Sequence, residues 1–110
     1  MVTELSPEEV ESRLEELQVV DIRGPRRFAE GHIPGAINVP MAELPARIEA
    51  IDWEETIVCV CPIGQSSIQA ARLIESYEGV PEGATVASME GGYRDWDGDL
   101  DTEDGSGRSG

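Results

Sequence analysis

The pattern of apolar positions predicts several short buried strands. The clearest is Thr56–Val60, a run without a charged residue that leads directly into Cys61. Unbroken apolar runs of this length are typical of strands that are covered on both faces. Residues 18–22 are a short run rich in β-branched side chains, and residues 84–89 and 37–39 are two further short runs with strand character. These runs predict the strands of a buried sheet.

Helical signals fill most of the intervals between these strands. Ser6 suits an N-cap, Pro7 suits the first helical position, and Glu9 completes a capping box. Further helices are predicted at residues 25–30, 44–51 and 68–77. Strands that alternate with helices at short spacing predict an α/β fold, an open parallel sheet with helices on both faces.

Charge excludes some partners. The chain has 110 residues, enough for one domain, and its 23 acidic residues face 8 basic ones, all arginine. Because there is no basic patch, neither nucleic acid nor anionic membrane is an expected partner. The acids are spread along the chain, which favours a solvated acidic coat over a site for a basic partner. The lysine-free, acid-rich composition resembles that of proteins from salt-loving archaea.

Cysteine usage favours a reducing compartment. Cys59 and Cys61 are the only cysteines and do not make a disulfide framework. The N-terminus lacks the pattern of a signal peptide, and no run approaches the roughly 18 apolar residues of a membrane span. We therefore expect a cytoplasmic protein. Two cysteines and one histidine lack metal-ligand spacing, so no metal site is expected.

The composition changes after Trp96. Residues 97–110 are rich in Asp, Gly and Ser, and Leu100 is their only apolar residue. Such a segment buries too little apolar surface to offset the entropy of ordering it. The sequence therefore predicts a folded domain at 1–96 and an acidic disordered tail at 97–110.

Cys61 is the first candidate for chemistry. It is predicted to lie where a buried strand ends and a loop leads into a helix, the edge at which open α/β sheets bind ligands. Loop amides and the first free N–H groups of the helix can stabilise a thiolate there and lower its pKa. Gly64 permits a tight curl, whereas Pro62 removes one donor. The alternative is a small buried cysteine that only ends a strand.

The region before the cysteine resembles the opening motif of rhodanese-like domains. The resemblance covers residues 20–23 and 28–40, and it includes the specific string Gly-His-Ile-Pro-Gly-Ala at 31–36. The resemblance implies a rhodanese-like open parallel sheet, although a fold alone does not determine function.

Two later stretches extend this resemblance in the right order. Cys61 with Gly64 and Ser67 is similar to the family's active-site loop, and residues 90–93 with Trp96 are similar to its closing motif. The resemblance implies a sulfurtransferase or persulfide carrier in which Cys61 takes a sulfane sulfur from a small donor such as thiosulfate. The acceptor would be cyanide, a thiol or a protein. No cofactor is implied, and we expect a monomer.

The anion-binding loop of this chain would comprise Pro62, Ile63, Gly64, Gln65, Ser66 and Ser67. It departs from the family pattern at Ser66, where many members have Arg. A hydroxyl brings no charge, so binding of a dianion should weaken. Arg27 matches an anion-binding arginine of some family members and is a candidate to compensate. Its alternative role is an exposed helix charge.

Other polar residues near the predicted site have structural interpretations. Asp21 and Arg23 resemble the family's structural pair at the active-site face. His32 is either a general base or, as the resemblance favours, a turn residue with satisfied ring nitrogens. Cys59 lies two residues before Cys61, so a strand would put both side chains on one face, with Cys59 buried.

Two other functions compete with sulfur transfer. A non-catalytic rhodanese-like module that binds a partner or an anion would explain Ser66, although it would not need Cys61. A phosphatase of the related fold needs Cys, five residues and then Arg to hold a phosphoryl group. Position 67 is Ser, which argues against a phosphatase.

Overall fold

A computed structural model of the chain describes residues 2–102. Its strands are β1 (Thr3–Leu5), β2 (Gln18–Asp21), β3 (Ile37–Asn38), β4 (Thr56–Val60) and β5 (Thr85–Met89). Its α-helices are α1 (Pro7–Ser12), α2 (Pro25–Glu30), α3 (Leu44–Arg47) and α4 (Ser66–Glu75). No helix in this range is long and apolar enough to cross a lipid bilayer.

The strands form a single parallel sheet in the order β1-β5-β4-β2-β3. After β2 the chain passes outward to β3, and it then crosses back to form β4 on the other side of β2. The carboxyl ends of β2 and β4 therefore meet where the strand order reverses, which is the usual ligand position in open α/β sheets. The predicted α/β fold class is confirmed.

Helices cover both faces of the sheet, as predicted. In β4, Ile57 and Cys59 pack on the face that α3 and α4 cover. Val58 and Val60 belong to the opposite cluster, which α1 and the aromatic residues near the end of the fold complete. Because side chains of a strand alternate between faces, this fully apolar strand is buried on both sides.

Two predicted helices are shorter than their periodicity indicated. The capping box at Ser6 and Glu9 is present, and Val10, Leu14 and Leu17 keep helical spacing, but α1 ends at Ser12 and a 3₁₀ turn follows at Leu14–Glu16. Likewise, only Leu44–Arg47 of the predicted helix 44–51 is α-helical, between two 3₁₀ turns. Apolar spacing reports which side chains are buried, and a chain of short turns can satisfy the same spacing.

The described part of the expected tail, 97–102, makes hydrogen bonds with the rest of the chain, and the boundary after Trp96 stays a prediction. Asp101 forms an antiparallel bridge with His32 through backbone bonds of 3.0 and 2.8 Å. The indole N–H of Trp96 donates to the Asp99 carbonyl at 3.1 Å. Backbone hydrogen bonds can hold a segment that has almost no apolar side chains, which composition does not reveal. The rest of the expected tail, 103–110, lies outside the described residues.

Candidate active site

The Cys61 sulfur lies inside a curl of backbone between β4 and α4. The Gly64 N–H donates to Sγ at 3.1 Å and the Ser67 N–H donates at 3.3 Å. Gly64 has a φ of 86°, a conformation that glycine adopts without strain and that turns its amide inward. The Ser67 hydroxyl oxygen is also 3.3 Å from Sγ. The loop thus gathers donors around one sulfur atom.

This environment favours the thiolate of Cys61. Burial by itself would raise the pKa of Cys61, because a charged sulfur loses hydration. Hydrogen bonds from the Ser67 hydroxyl and from the N–H groups of Ser67, Gly64 and Ile63 stabilise the thiolate by more, and the net pKa is lowered. A lowered pKa increases the fraction of Cys61 that is present as thiolate at neutral pH, and the thiolate is the nucleophile.

Cys59 shares the face of Cys61 but not its donors. Both side chains belong to the same core cluster, so they lie on one face of the sheet as their spacing predicts. Cys59 is fully buried, and desolvation, together with the nearby Cys61, raises its pKa to about 12. Cys59 is therefore a protonated thiol at neutral pH.

The two cysteines should differ sharply in alkylation by iodoacetamide. The Cys61 rate should rise with pH with a midpoint below the ordinary cysteine pKa of 9.0, because its folded pKa is lowered. Cys59 should be labelled far more slowly between about pH 6 and 9, because its thiol is fully buried and has a pKa of about 12. Peptide mass spectrometry after brief labelling measures both. Preferential labelling of Cys59 would contradict the assignment.

A second loop supports the cysteine loop from the side of β5. The Tyr93 N–H donates to the Cys61 carbonyl at 2.9 Å, and the Arg94 N–H donates to the Pro62 carbonyl at 3.0 Å. Gly92, with a φ of 58°, lies so close that a Cβ there would overlap the Cys61 carbonyl oxygen. The closing motif of the sequence thus packs against the cysteine loop. The alternation of strands and helices along the chain does not predict this contact between the two loops.

Asp21, Arg23 and Tyr93 form a buried polar network at the end of β2. The Arg23 side chain donates to both Asp21 carboxylate oxygens, with the shortest contact at 2.8 Å, and to the Gly31 carbonyl at 2.6 Å. The Tyr93 hydroxyl donates to Asp21 at 2.8 Å, and the guanidinium stacks 3.7 Å above the tyrosine ring. The network joins β2 to the loop that supports Cys61.

Burial and the negative charge of Asp21 together raise the pKa of Tyr93, so its hydroxyl keeps its proton and remains a donor. Asn38, which the sequence analysis did not single out, donates to the carbonyls of Asp21 and Arg23 at 3.0 and 2.9 Å. Both contacts fix the end of β2.

His32 has a local structural environment. Its ring stacks on Phe28 with centroids 3.7 Å apart, and its Nδ1 lies 2.7 Å from the Phe28 carbonyl oxygen. The side chain is buried and is not part of the cavity wall beside Cys61. These contacts agree with the interpretation of His32 as a turn residue.

A cavity of about 230 Å³ lies beside Cys61. Its wall is formed by Ile22, Arg23, Gly24, Arg27, Met41, Cys61, Pro62 and Ser66. Arg27 and Ser66 are both exposed, so the cavity opens to the surface between α2 and the cysteine loop. The Cys61 residue itself is only 1% exposed, so a reagent must enter this cavity to reach it.

The wall contains some predicted site residues and some that sequence reasoning missed. Pro62 and Ser66 line the cavity, whereas Ile63 and Gln65 are exposed residues outside its wall. Ile22 and Met41 were not predicted. The Met41 N–H donates to the Ile22 carbonyl at 3.0 Å, a contact that brings the two apolar side chains to the same rim.

Arg27 is the cation best placed to meet an anion in this cavity. The Arg23 guanidinium is engaged by Asp21, and Ser66 brings no charge. Among residues 2–102, no carboxylate forms an ion pair with Arg27. No group of three or more His, Cys, Asp or Glu in the described part of the chain is arranged to hold a metal ion.

Comparison with known proteins is consistent with this geometry. The family model described as "Rhodanese-like domain" matches residues 6–99. A protein named sulfurtransferase from Allochromatium vinosum is 35% identical over 100 residues, which cover 87% of this chain and 89% of that protein. The thiosulfate sulfurtransferase GlpE of Pseudomonas aeruginosa is 36% identical over 94 residues, covering 84% and 81% of the two chains.

A solved structure shows the same fold. The crystal structure of a rhodanese-related protein from Thermoplasma volcanium superposes with a TM-score of 0.80 at 20% identity. The match covers 92% of this chain and 99% of that one. At this identity the likeness concerns the fold alone.

Proposed function

The chain belongs to the rhodanese-like domain family, and we propose that it is a sulfurtransferase that carries sulfane sulfur as a persulfide on Cys61. The observation that supports this most strongly is the ring of donors around the Cys61 sulfur at the base of an open cavity. Such donors stabilise negative charge on sulfur, which both attack and persulfide formation require. Relatives named sulfurtransferase support the same class of reaction.

In the loading step, the Cys61 thiolate attacks the outer sulfur of thiosulfate. A new S–S bond forms with the thiolate electrons, and the S–S bond of the donor breaks with its electrons leaving on sulfite. The charge is conserved, because the product is a persulfide anion on Cys61 and a sulfite dianion. A low-molecular-weight persulfide would react in the same way and release a thiolate.

In the unloading step, cyanide or an acceptor thiolate attacks the terminal sulfur. The persulfide S–S bond breaks, and its electrons return to Cys61 as the thiolate. The lowered pKa of Cys61 helps here also, because a more stable thiolate is a better leaving group.

Intact mass spectrometry after incubation with thiosulfate tests the proposal. The wild-type protein should gain the mass of one sulfur atom and lose it again on treatment with cyanide. Cys61→Ser should gain nothing, and Cys59→Ala should behave like the wild type because the Cys59 thiol is buried. Absence of a gain with thiosulfate and with a low-molecular-weight persulfide would contradict the proposal and favour a binding module.

Charge at the cavity mouth should control the use of thiosulfate. Ser66→Arg should lower the KM for thiosulfate, because a hydrogen bond involving a charged group contributes about 1.5–3 kcal/mol. Arg27→Ala should raise the KM, and Ser66→Arg should partly rescue that loss. Steady-state kinetics at several salt concentrations measure both effects, because salt screens them.

Matched variants control for the change in net charge. Gln69→Arg adds the same charge on the exposed side of α4, and Arg26→Ala removes an exposed charge of α2 that does not line the cavity. Neither should change the KM appreciably. If Ser66→Arg leaves thiosulfate kinetics unchanged while Cys61 still forms a persulfide, the donor is a persulfide rather than a small dianion.

A further inference from the structure

Two buried hydroxyl groups extend the Cys61 site into the core of the fold. Ser67 lies in the first turn of α4 and Ser88 lies in β5, and both residues are completely buried. Their hydroxyl oxygens are 2.7 Å apart, and the Ser67 oxygen is 3.3 Å from the Cys61 sulfur. The three side chains therefore form a chain of contacts that runs from the cavity into the sheet.

The sheet register explains how Ser88 reaches this position. Ser88 pairs with Cys59 across the β4 and β5 ladder. It is two residues from Val86, which packs in the same cluster as Cys59 and Cys61, so its side chain points to the face that α4 covers. A hydroxyl in the middle of this apolar face needs a hydrogen-bond partner. Within residues 2–102, Ser67 is the only side-chain partner of the Ser88 hydroxyl.

Counting hydrogens sets the direction of this chain. Each serine hydroxyl has one hydrogen, and a thiolate has none and can only accept. When the Cys61 sulfur is negative, the Ser67 hydrogen points to sulfur, because that bond is charge-assisted and stronger than a neutral one. The Ser67 oxygen then accepts from Ser88, and every hydroxyl hydrogen has an acceptor.

The reverse direction leaves one group unsatisfied. If the Ser67 hydrogen pointed to Ser88, the thiolate would lose a donor. The Ser88 hydrogen would also have no acceptor among the described side chains. A buried donor without an acceptor is costly, so the arrangement favours Ser67 as the donor to sulfur.

We propose that Ser88 is a positioning residue for the nucleophile, whose hydroxyl donates to Ser67 and thereby keeps the Ser67 hydrogen directed at the Cys61 sulfur. Ser88 acts through Ser67. The proposal rests on the proposed role of Cys61 as the reacting sulfur. It concerns only the thiolate, so it can be tested without any sulfur donor.

The test is the pH dependence of Cys61 alkylation in the full-length protein. Ser88→Ala should slow alkylation by about threefold to tenfold at pH values below the midpoint of the wild-type profile, the size of one hydrogen bond. At high pH, where Cys61 is fully ionised in both proteins, the rate should approach that of the wild type. Ser76→Ala is a matched control, because among the described residues the Ser76 hydroxyl donates only to the Leu73 carbonyl, at the far end of α4.

A double-mutant cycle separates positioning from packing. Ser67→Ala should slow alkylation at pH values below the wild-type midpoint, and adding Ser88→Ala to it should cause no further loss, because Ser88 acts only through Ser67. Equal slowing at every pH, additive losses in the cycle, or an unchanged profile for Ser88→Ala would each overturn the proposal.

A measurement on the wild-type protein avoids any loss of stability in the variants. The NMR chemical shift of the Ser88 Cβ should titrate with the same midpoint as that of the Cys61 Cβ, and the Ser76 Cβ should not. A Ser88 Cβ chemical shift that does not change as Cys61 titrates would overturn the proposal. If the Ser88 signal does not titrate but the persulfide forms normally, only the role of Ser88 is overturned. If the persulfide does not form but the Ser88 signal titrates with Cys61, only the proposed sulfur transfer is overturned.

Discussion

In the Gly92→Ala variant, the rates of Cys61 alkylation and of its loading with sulfur should each fall on the order of a hundredfold. Small displacements of reacting groups have effects of that size. A Cβ at this position would overlap the Cys61 carbonyl oxygen and would lie 2.7 Å from the backbone nitrogens of Gly64 and Ile63. All three neighbours are backbone atoms, so no change of side-chain conformation can relieve the overlap. The cysteine loop must move, and its N–H donors move with it.

The pKa of Cys61 should therefore rise in Gly92→Ala, since the N–H groups of Gly64 and Ile63 are among those that lower it. Alkylation rate against pH measures this shift, and intact mass measures loading. Gly35→Ala and Gly83→Ala are matched controls. Both glycines have a positive φ, 85° and 84°, but no atom lies within 4 Å of the added Cβ.

These controls share only the cost of a left-handed conformation, about 1–2 kcal/mol. They should lower the melting temperature without slowing the alkylation of Cys61. A Gly92→Ala protein that alkylates at the wild-type rate would show that the second loop does not support the cysteine loop.

Asp21→Ala is expected to lower the free energy of unfolding by about 3–5 kcal/mol, the cost of breaking a buried ion pair. The Asp21 side chain is completely buried, and that of Arg23 is only 9% exposed. Removal of the carboxylate would leave the guanidinium and the Tyr93 hydroxyl without their shared acceptor. The melting temperature of a domain of this size should fall by on the order of 20 °C.

The exposed pair of Glu43 and Arg47 is the control for this prediction. Its side chains are 54% and 46% exposed, so Glu43→Ala should change the free energy of unfolding by less than about 0.5 kcal/mol. The double variant Asp21→Ala/Arg23→Met should recover part of the loss, because it leaves no unpaired charge buried. Denaturant titration measures all of these. Equal losses from Asp21→Ala and Glu43→Ala would mean that the buried network is not important for stability.

Local signals in the sequence were sufficient for most of the elements and for the position of the Cys61 sulfur in its loop. The apolar run Thr56–Val60 is β4. The loop after it contains Cys61 and leads into α4, as expected. Gly64 has the positive φ that its role in the curl requires. These features depend on residues a few positions apart, so their physical cause is visible in a short stretch of sequence. Helix lengths were less predictable, because 3₁₀ turns bury the same side chains as an α-helix.

The surroundings of that sulfur required the tertiary structure. The contacts of Tyr93 with Asp21 and of Ser67 with Ser88 join residues 72 and 21 positions apart, and they exist because β4 lies between β2 and β5. Apolar periodicity states that a strand is buried, but it does not state which strand is its neighbour. The sequence therefore determined which sulfur lies in the loop after β4 and the turn that surrounds it. Strand order determined the positions of the hydroxyls, the supporting loop and the arginine around this sulfur. Only packing brings residues that are distant in sequence within hydrogen-bond distance.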